Sequence, residues 1–336
     1  MVELFSGLSI ILVFSFGLFL KKTPQLIQTI LILFWAAWLI LISDSDMVLL
    51  KSLLIVFLLF YMFLLKNVSY EYLMLTLIFK LGTLLLLESK DFLIFYLSLE
   101  LSSFVLYLLV ASRKENIYST EAGLKYFILG SLSSIILLLG ISLCYGLVGS
   151  LEFIDIYMFG TDLLWDEGKV YLRVSYLLIL IGLFFKLGLV PFHFWIPDVY
   201  EGSTWLVIYM LGVVSKIGAF GVTVRLIYQV FDFEFEMTSL LLVLVGFGSI
   251  GVGVLSALRQ RSLKRLVGYS GITHMGFLVL GLSTGTGLGM FVTFFYLIFY
   301  LCLNVSWIVL FRYLELESLE ELKRVLGSVG IYLLIM

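Results

Sequence analysis

The chain has 336 residues, 62% hydrophobic and 13% charged, with a formal net charge of -2 and a mean hydropathy of +1.15. A water-soluble core does not use that much apolar surface, which excludes a soluble globular protein; the net charge says little, and no nucleic-acid partner is expected. Apolar stretches of about 20 residues recur along the length, the mark of a polytopic membrane protein. They are continuous rather than alternating, which selects helices over a closed barrel as the way to satisfy the backbone in lipid.

In chain order, the pattern predicts about eleven transmembrane helices, at 4–20, 25–43, 47–65, 70–88, 91–111, 121–148, 171–190, 203–230, 238–258, 264–283 and 287–313. The first begins MVELFSGLSI with no basic region and reads as a retained span rather than a cleaved signal. The longest expected loop, Gly149 to Val170, is acidic. Lys and Arg favour the loops after odd-numbered helices, nine against four, which puts the N-terminus on the outer side. Residues 314–336 alternate Glu, Lys and Arg with Leu and read as an amphipathic tail or connector. The expected division is 1–66 as an N-terminal three-helix segment, 67–231 and 232–313 as helical modules, and 314–336 as the tail.

Charges in the apolar spans carry the chemistry. Glu100 sits near the centre of the fifth span, in DFLIFYLSLELSSFVLYLLVAS. Lys186 lies in LLILIGLFFKLGLVPFHFWIPDVYEGS, ahead of Pro191 and Pro197. Lys216 lies in WLVIYMLGVVSKIGAFGVTVRLIYQV, among Gly212, Gly218 and Gly221. An ionised side chain at mid-bilayer costs roughly 2.5–3.5 kcal/mol on insertion scales, so such residues are functional by default and point to a path for an ion or proton. The competing readings are a neutral hydrogen-bonded acid locking two helices for Glu100, a snorkelling side chain for Lys186 and a structural amine on a backbone carbonyl for Lys216. The prolines predict a helix break, tolerated in a membrane only where protein or water re-satisfies the backbone.

Lys125 opens the sixth helix and reads equally as functional or as snorkelling to the surface. Lys80 is deeper, with no evident partner, and Arg113 and Arg225 read as interfacial. His274, in GYSGITHMGFLVL with Tyr269, Ser270 and Thr273 close by, reads equally as a proton relay or as a satisfied core histidine. His193 falls inside the proline-flanked break, which argues against a haem pair with His274. Cys144 and Cys302 form no metal spacing, and the sequence has no phosphate loop, no iron–sulfur cysteine cluster and no dinucleotide fingerprint. No metal and no cofactor are expected in this chain.

The segments FKLGLVPFHFWIPDVYEG, EAGLKYFILGSLSS and LKRLVGYSGITHMGF resemble those of the antiporter-like membrane subunits of respiratory complex I, and DVYEG is closest to NADH dehydrogenase subunit 2. The resemblance runs from about residue 70 to 325. It implies three N-terminal helices followed by one complete and one truncated inverted five-helix repeat, the first with a broken seventh helix. It also implies proton translocation through Glu100, Lys186, Lys216, His274 and the helix-six base Lys125, coupled to NADH oxidation by ubiquinone. NADH, FMN, the iron–sulfur clusters and ubiquinone would sit in other subunits. Implied partners are other membrane-arm subunits, neighbouring antiporter-like subunits, cardiolipin and a separate chain supplying helices 12–14. Implied locations are the mitochondrial inner membrane or a bacterial plasma membrane. A direct Glu100–Lys186 ion pair is expected. After DVYEG the family usually has prolines where this chain reads STWLVIYM, which leaves the start of the eighth helix open. An Mrp-type cation/proton antiporter subunit and a non-pumping membrane scaffold are the competing functions.

Overall fold

A computed structural model describes residues 48–65, 70–113, 115–162 and 166–323. The two helices expected at 4–20 and 25–43, and most of the tail, lie outside these. The rest is all-α, with only isolated bridges between Asp91 and Glu152 and between Ser262 and Ser318. The helices are α1 Val48–Leu64, α2 Tyr70–Glu88, α3 Phe92–Val110, α4 Ile117–Val148, α5 Phe153–Asp162, α6 Asp166–Leu187, α7 Trp195–Gly202, α8 Trp205–Val230, α9 Phe235–Ala257, α10 Leu263–Leu282 and α11 Gly287–Tyr313. Among the described residues, six spans are long and apolar enough to cross a membrane, in α3, α4, α6, α8, α9 and α11.

Two expectations are corrected. The acidic segment after Gly149 is not a plain loop: it holds α5, whose Phe153 and Ile156 are buried. Its ten half-apolar residues are too few to have registered as a span. Second, Lys169, within the expected loop, lies in α6.

The described residues divide into two compact units. The first comprises 48–109, 127–187 and 213–235, the second 110–126, 188–212 and 236–323. In the first unit α8 packs on α1, α2 and α6. Gly218 faces Leu86 and Thr83, and Gly221 faces Leu87 and Leu50, so small residues let the helices approach closely. Lys80 is buried on α2, one turn before Thr83. Lys51 of α1 pairs with Glu88 of α2 at 3.2 Å, and Arg225 donates to the Ser89 carbonyl. Arg173 Nε holds Glu234 at 2.8 Å. In the second unit α10 packs on α7 and α11. The tail returns beside α10, where Glu317 pairs with Lys264 at 3.0 Å.

The apolar stretch of α8 is 94% buried and that of α9 only 22%. A helix so enclosed is the place for polar groups that must be kept from lipid, whereas α9 offers lipid Leu240, Leu244, Phe247 and Leu255.

Close approach of α4 and α6 supplies a test. A Cβ on Gly140 would meet the Ser175 carbonyl at 2.7 Å and Ile179 at 2.9 Å, whereas Gly146 on the same helix has open space around it. Gly140→Leu is expected to destabilise by about 1–3 kcal/mol through overpacking, and Gly146→Leu to be near neutral. Thermal unfolding of the purified assembly, read for both variants, checks this. Equal effects would contradict the packing described.

Candidate functional site: buried amines at a helix break

α6 stops inside the apolar region because of its sequence. Gly188 takes a positive φ of 71°, a conformation that costs a glycine little and that ends helices, and Pro191 cannot rejoin the ladder. Chain direction is recovered at α7, where Pro197 sits in the first turn, a position at which its missing N–H costs nothing. Between them the Val190 N–H donates to Ser249 Oγ at 3.0 Å. The expected break is therefore present, with Pro191 in it and Pro197 opening the second arm rather than interrupting one. The start of α8, left open by STWLVIYM, is settled by Thr204, which caps it by accepting from the Val207 N–H.

A helix end leaves its last carbonyls without intrahelical partners. Lys216, 2% exposed on α8, fills this need. Its Nζ donates to the Leu187 carbonyl and, at 3.3 Å, to the carbonyl of Lys186 itself. The negative end of the α6 dipole suits an ammonium there. One amine is thus anchored to the backbone of the residue that carries the other.

Lys186 Nζ and Glu100 Oε1 are buried with no hydrogen-bond partner among the described residues. The expected Glu100–Lys186 ion pair is absent. Lys186 Nζ stands instead over the ring of Tyr107, 6.0 Å from its centroid, at the outer edge of cation–π range. Tyr107 lies two turns beyond Glu100 on α3, so both share one face. Gly130 of α4 leaves room for the phenol, since a Cβ there would collide with its hydroxyl. With the carboxylate and amine farther apart than 4 Å, their attraction stays below about 4 kcal/mol at an effective dielectric of 20. Tyr107 was missed from the sequence because an aromatic on an apolar helix carries no signal until its neighbour is known.

In the second unit, Lys125 is exposed and belongs to an ion-pair network rather than a buried chain. Its Nζ lies 2.9 Å from both Glu121 and Asp198. Arg265 of α10 reaches Asp198 at 3.3 Å and Glu201 at 2.6 Å. Five charges from α4, α7 and α10 thereby tie the short arm α7 in place. The Asp and Glu of DVYEG are legible in sequence, but their partners are distant in the chain.

His274 is half-buried, and its Nδ1 faces the Tyr296 hydroxyl at 2.8 Å. The hydroxyls close to it in sequence do not serve it: Ser270 and Thr273 bond carbonyls of their own helix, Val267 and Tyr269, as mid-helix Ser and Thr commonly do. His193 is buried against Phe194, ring centroids 4.4 Å apart, with Nδ1 lacking a hydrogen-bond partner. Among the described residues no group of three His, Cys, Asp or Glu side chains gathers as metal ligands, and Cys144 and Cys302 are both free.

The arrangement in the first unit can hold and release charge in a dry interior. It offers no nucleophile–base pair.

The chain is similar to several known proteins. NADH-quinone oxidoreductase subunit N from Magnetococcus marinus is 40% identical over 238 residues, covering 70% of this chain and 48% of that protein. The chain spans about half the length of the curated relatives it matches. Among solved structures, a chain of respiratory complex I from Thermus thermophilus with bound aureothin superposes with a TM-score of 0.77 at 29% identity, covering 92% of this chain and 70% of that one. A chain of the Mrp complex from Dietzia sp. DQ12-45-1b shares the fold, with a TM-score of 0.78 at 19% identity over 90% of this chain and 62% of that one. The family model described as NADH:quinone oxidoreductase/Mrp antiporter, TM, matches residues 89–327, more than half of the sequence, and the chain belongs to that family.

Proposed function

We propose that this chain is a proton-translocating membrane-arm subunit of an NADH:quinone oxidoreductase, equivalent to subunit N and to mitochondrial subunit 2. The observation that carries the reading is the Lys216 amine bonded to the carbonyl of Lys186 at an interrupted helix end. The resemblance in DVYEG and the similarity to subunit N support the same assignment.

In this reading the chain does no redox chemistry. Electron transfer from NADH through FMN and iron–sulfur clusters to ubiquinone belongs to other subunits, and the energy reaches this one as a change in the charge state of Glu100. When Glu100 is anionic it favours the ammonium of Lys186; when it is neutralised, the Lys186 proton is released toward Lys216. The Tyr107 ring keeps the acid and amine apart. A contact ion pair would hold its charges too firmly to be a good switch, whereas a separated pair exchanges smaller increments. His274 belongs to a later stage of the same transfer, and Lys125 holds α7 by its ion pairs without carrying the proton. The working location is an energy-conserving membrane, the mitochondrial inner membrane or a bacterial plasma membrane, with the N-terminus outside and neighbouring antiporter-like subunits and cardiolipin around it.

The shared fold of the Mrp chain favours one other reading, cation/proton exchange. Sodium decides between them: proton pumping by the purified assembly is expected to be independent of sodium, and a sodium-dependent exchange would transfer the assignment to the Mrp type.

Two variants separate function from stability. Lys186→Met is expected to lower the proton-pumping rate by at least about ten-fold while NADH oxidation by an artificial acceptor continues. Unchanged pumping would refute the scheme. The same variant removes a buried amine that has no hydrogen-bond partner and is expected to leave the unfolding midpoint unchanged or higher. Lys216→Met instead strips two carbonyls of their donor, at a cost of about 1–3 kcal/mol, and is expected to lower the midpoint. A midpoint shift in the opposite order, measured on the detergent-solubilised assembly, would contradict the hydrogen bonding described.

A further inference from the structure

The second unit contains a group of buried hydroxyls that the proposed transfer does not use. Tyr300, on α11, is 1% exposed. Its hydroxyl donates to the Gly212 carbonyl at 3.2 Å. Its ring stands 5.3 Å from the imidazole of His274. Asn304, one turn beyond, is 5% exposed. A Cβ on Gly212 would come within 3.2 Å of the Tyr200 hydroxyl, and one on Gly271 within 3.6 Å of the Tyr300 hydroxyl. The two glycines thus make room for two phenols, and one of these phenols bonds the backbone of α8.

Gly212 is not in ordinary α-helix. It lies inside the π-helical segment Met210–Val214, directly ahead of the α-helical stretch that starts at Ser215 and carries Lys216. A π-turn inserts one residue into the ladder. Across it carbonyls outnumber the N–H groups that can reach them, and a donor from outside is needed in a dry interior. The insertion also rotates everything beyond it by about 100°, one residue of a 3.6-residue turn. Lys216 stands four residues past Gly212, one turn further on the same face. If the bulge moved along the helix or closed, the Lys216 side chain would swing away from the α6 carbonyls it bonds.

We propose that Tyr300 is a positioning residue for proton transfer: by donating to the Gly212 carbonyl it pins the π-turn of α8 and so fixes the direction in which Lys216 points. This rests on the reading of the chain as a proton translocator. Tyr300 touches neither amine and acts through the backbone.

The test uses the complete membrane assembly in proteoliposomes. Three variants are compared with wild type: Tyr300→Phe, which keeps the ring and removes only the hydroxyl; Thr293→Val, which removes another buried hydroxyl of α11 that bonds only its own helix, at Met290; and Lys186→Met. Readouts are the amount of assembled complex, NADH oxidation by an artificial acceptor, and the initial rate of proton pumping. Tyr300→Phe is expected to assemble normally and oxidise NADH normally while pumping falls about five-fold, the population shift that loss of one net hydrogen bond carries; Thr293→Val is expected to match wild type. Wild-type pumping by Tyr300→Phe overturns the proposal. So does an equal loss in Thr293→Val, which makes the effect unspecific, and so does failure of Tyr300→Phe to assemble, which makes the hydroxyl a folding element. Retained pumping by Lys186→Met overturns the underlying functional reading instead, whatever Tyr300→Phe does.

Discussion

A helix that ends inside an apolar slab must find donors for its last carbonyls, and here the donor is a lysine. Each unmet backbone group in such surroundings costs several kcal/mol, so α6 can stop at Leu187 only because Lys216 reaches its end. The dependence runs both ways. Two carbonyls and a helix dipole in turn receive Lys216, which is 2% exposed on an almost fully enclosed helix. Gly188, Pro191 and the packing of α8 against α6 follow from that exchange, since each serves to bring the stopped helix and the amine together.

The polar groups are satisfied to different degrees, and the difference follows depth. Lys51 with Glu88, Arg173 with Glu234, and Lys125, Arg265, Asp198 and Glu201 together find opposite charges at 2.6–3.3 Å. The exposed pairs among these, those of Lys125 and Arg265, contribute little energy and mainly fix where α7 lies, whereas Lys51 and Glu234 are themselves buried. Lys216 is held by two backbone carbonyls, and Glu100 and Lys186 by no hydrogen bond from the described residues at Oε1 and Nζ. A fully matched interior would be more stable and would not move charge. Marginal satisfaction is what a titrating relay requires. His193 Nδ1 is likewise buried with no hydrogen bond from the described residues.

Backbone irregularity has the same distribution. α8 carries π-helical segments on both sides of the stretch Ser215–Arg225, and α6 ends in a left-handed glycine. Regular helices, α9 and α11, are the ones that present Leu240, Phe247, Phe291 and Phe295 outward. Irregular backbone at membrane depth is tolerated only within protein, so enclosure of α8 is the condition for its bulges as well as for its lysine.

Helical class, most of the spans in the described region, the break near Pro191 and the placement of Glu100, Lys186 and Lys216 within apolar helices were legible in the sequence, because an apolar run has one stable form in lipid and an ionisable residue within it stands out by its cost. Helix α5 was not, since ten half-apolar residues in an acidic segment resemble a loop until Phe153 and Ile156 find their neighbours. Nor was the pairing. Sequence gives each charge its depth along a helix but not which face of which helix it meets. An acid and a lysine therefore suggested a contact that the fold replaces with Tyr107, and the hydroxyls beside His274 in sequence proved to serve their own helix while Tyr296 serves the ring. Side-chain partners depend on helix rotation and on sites where glycine permits close approach, and these are set only when the helices pack.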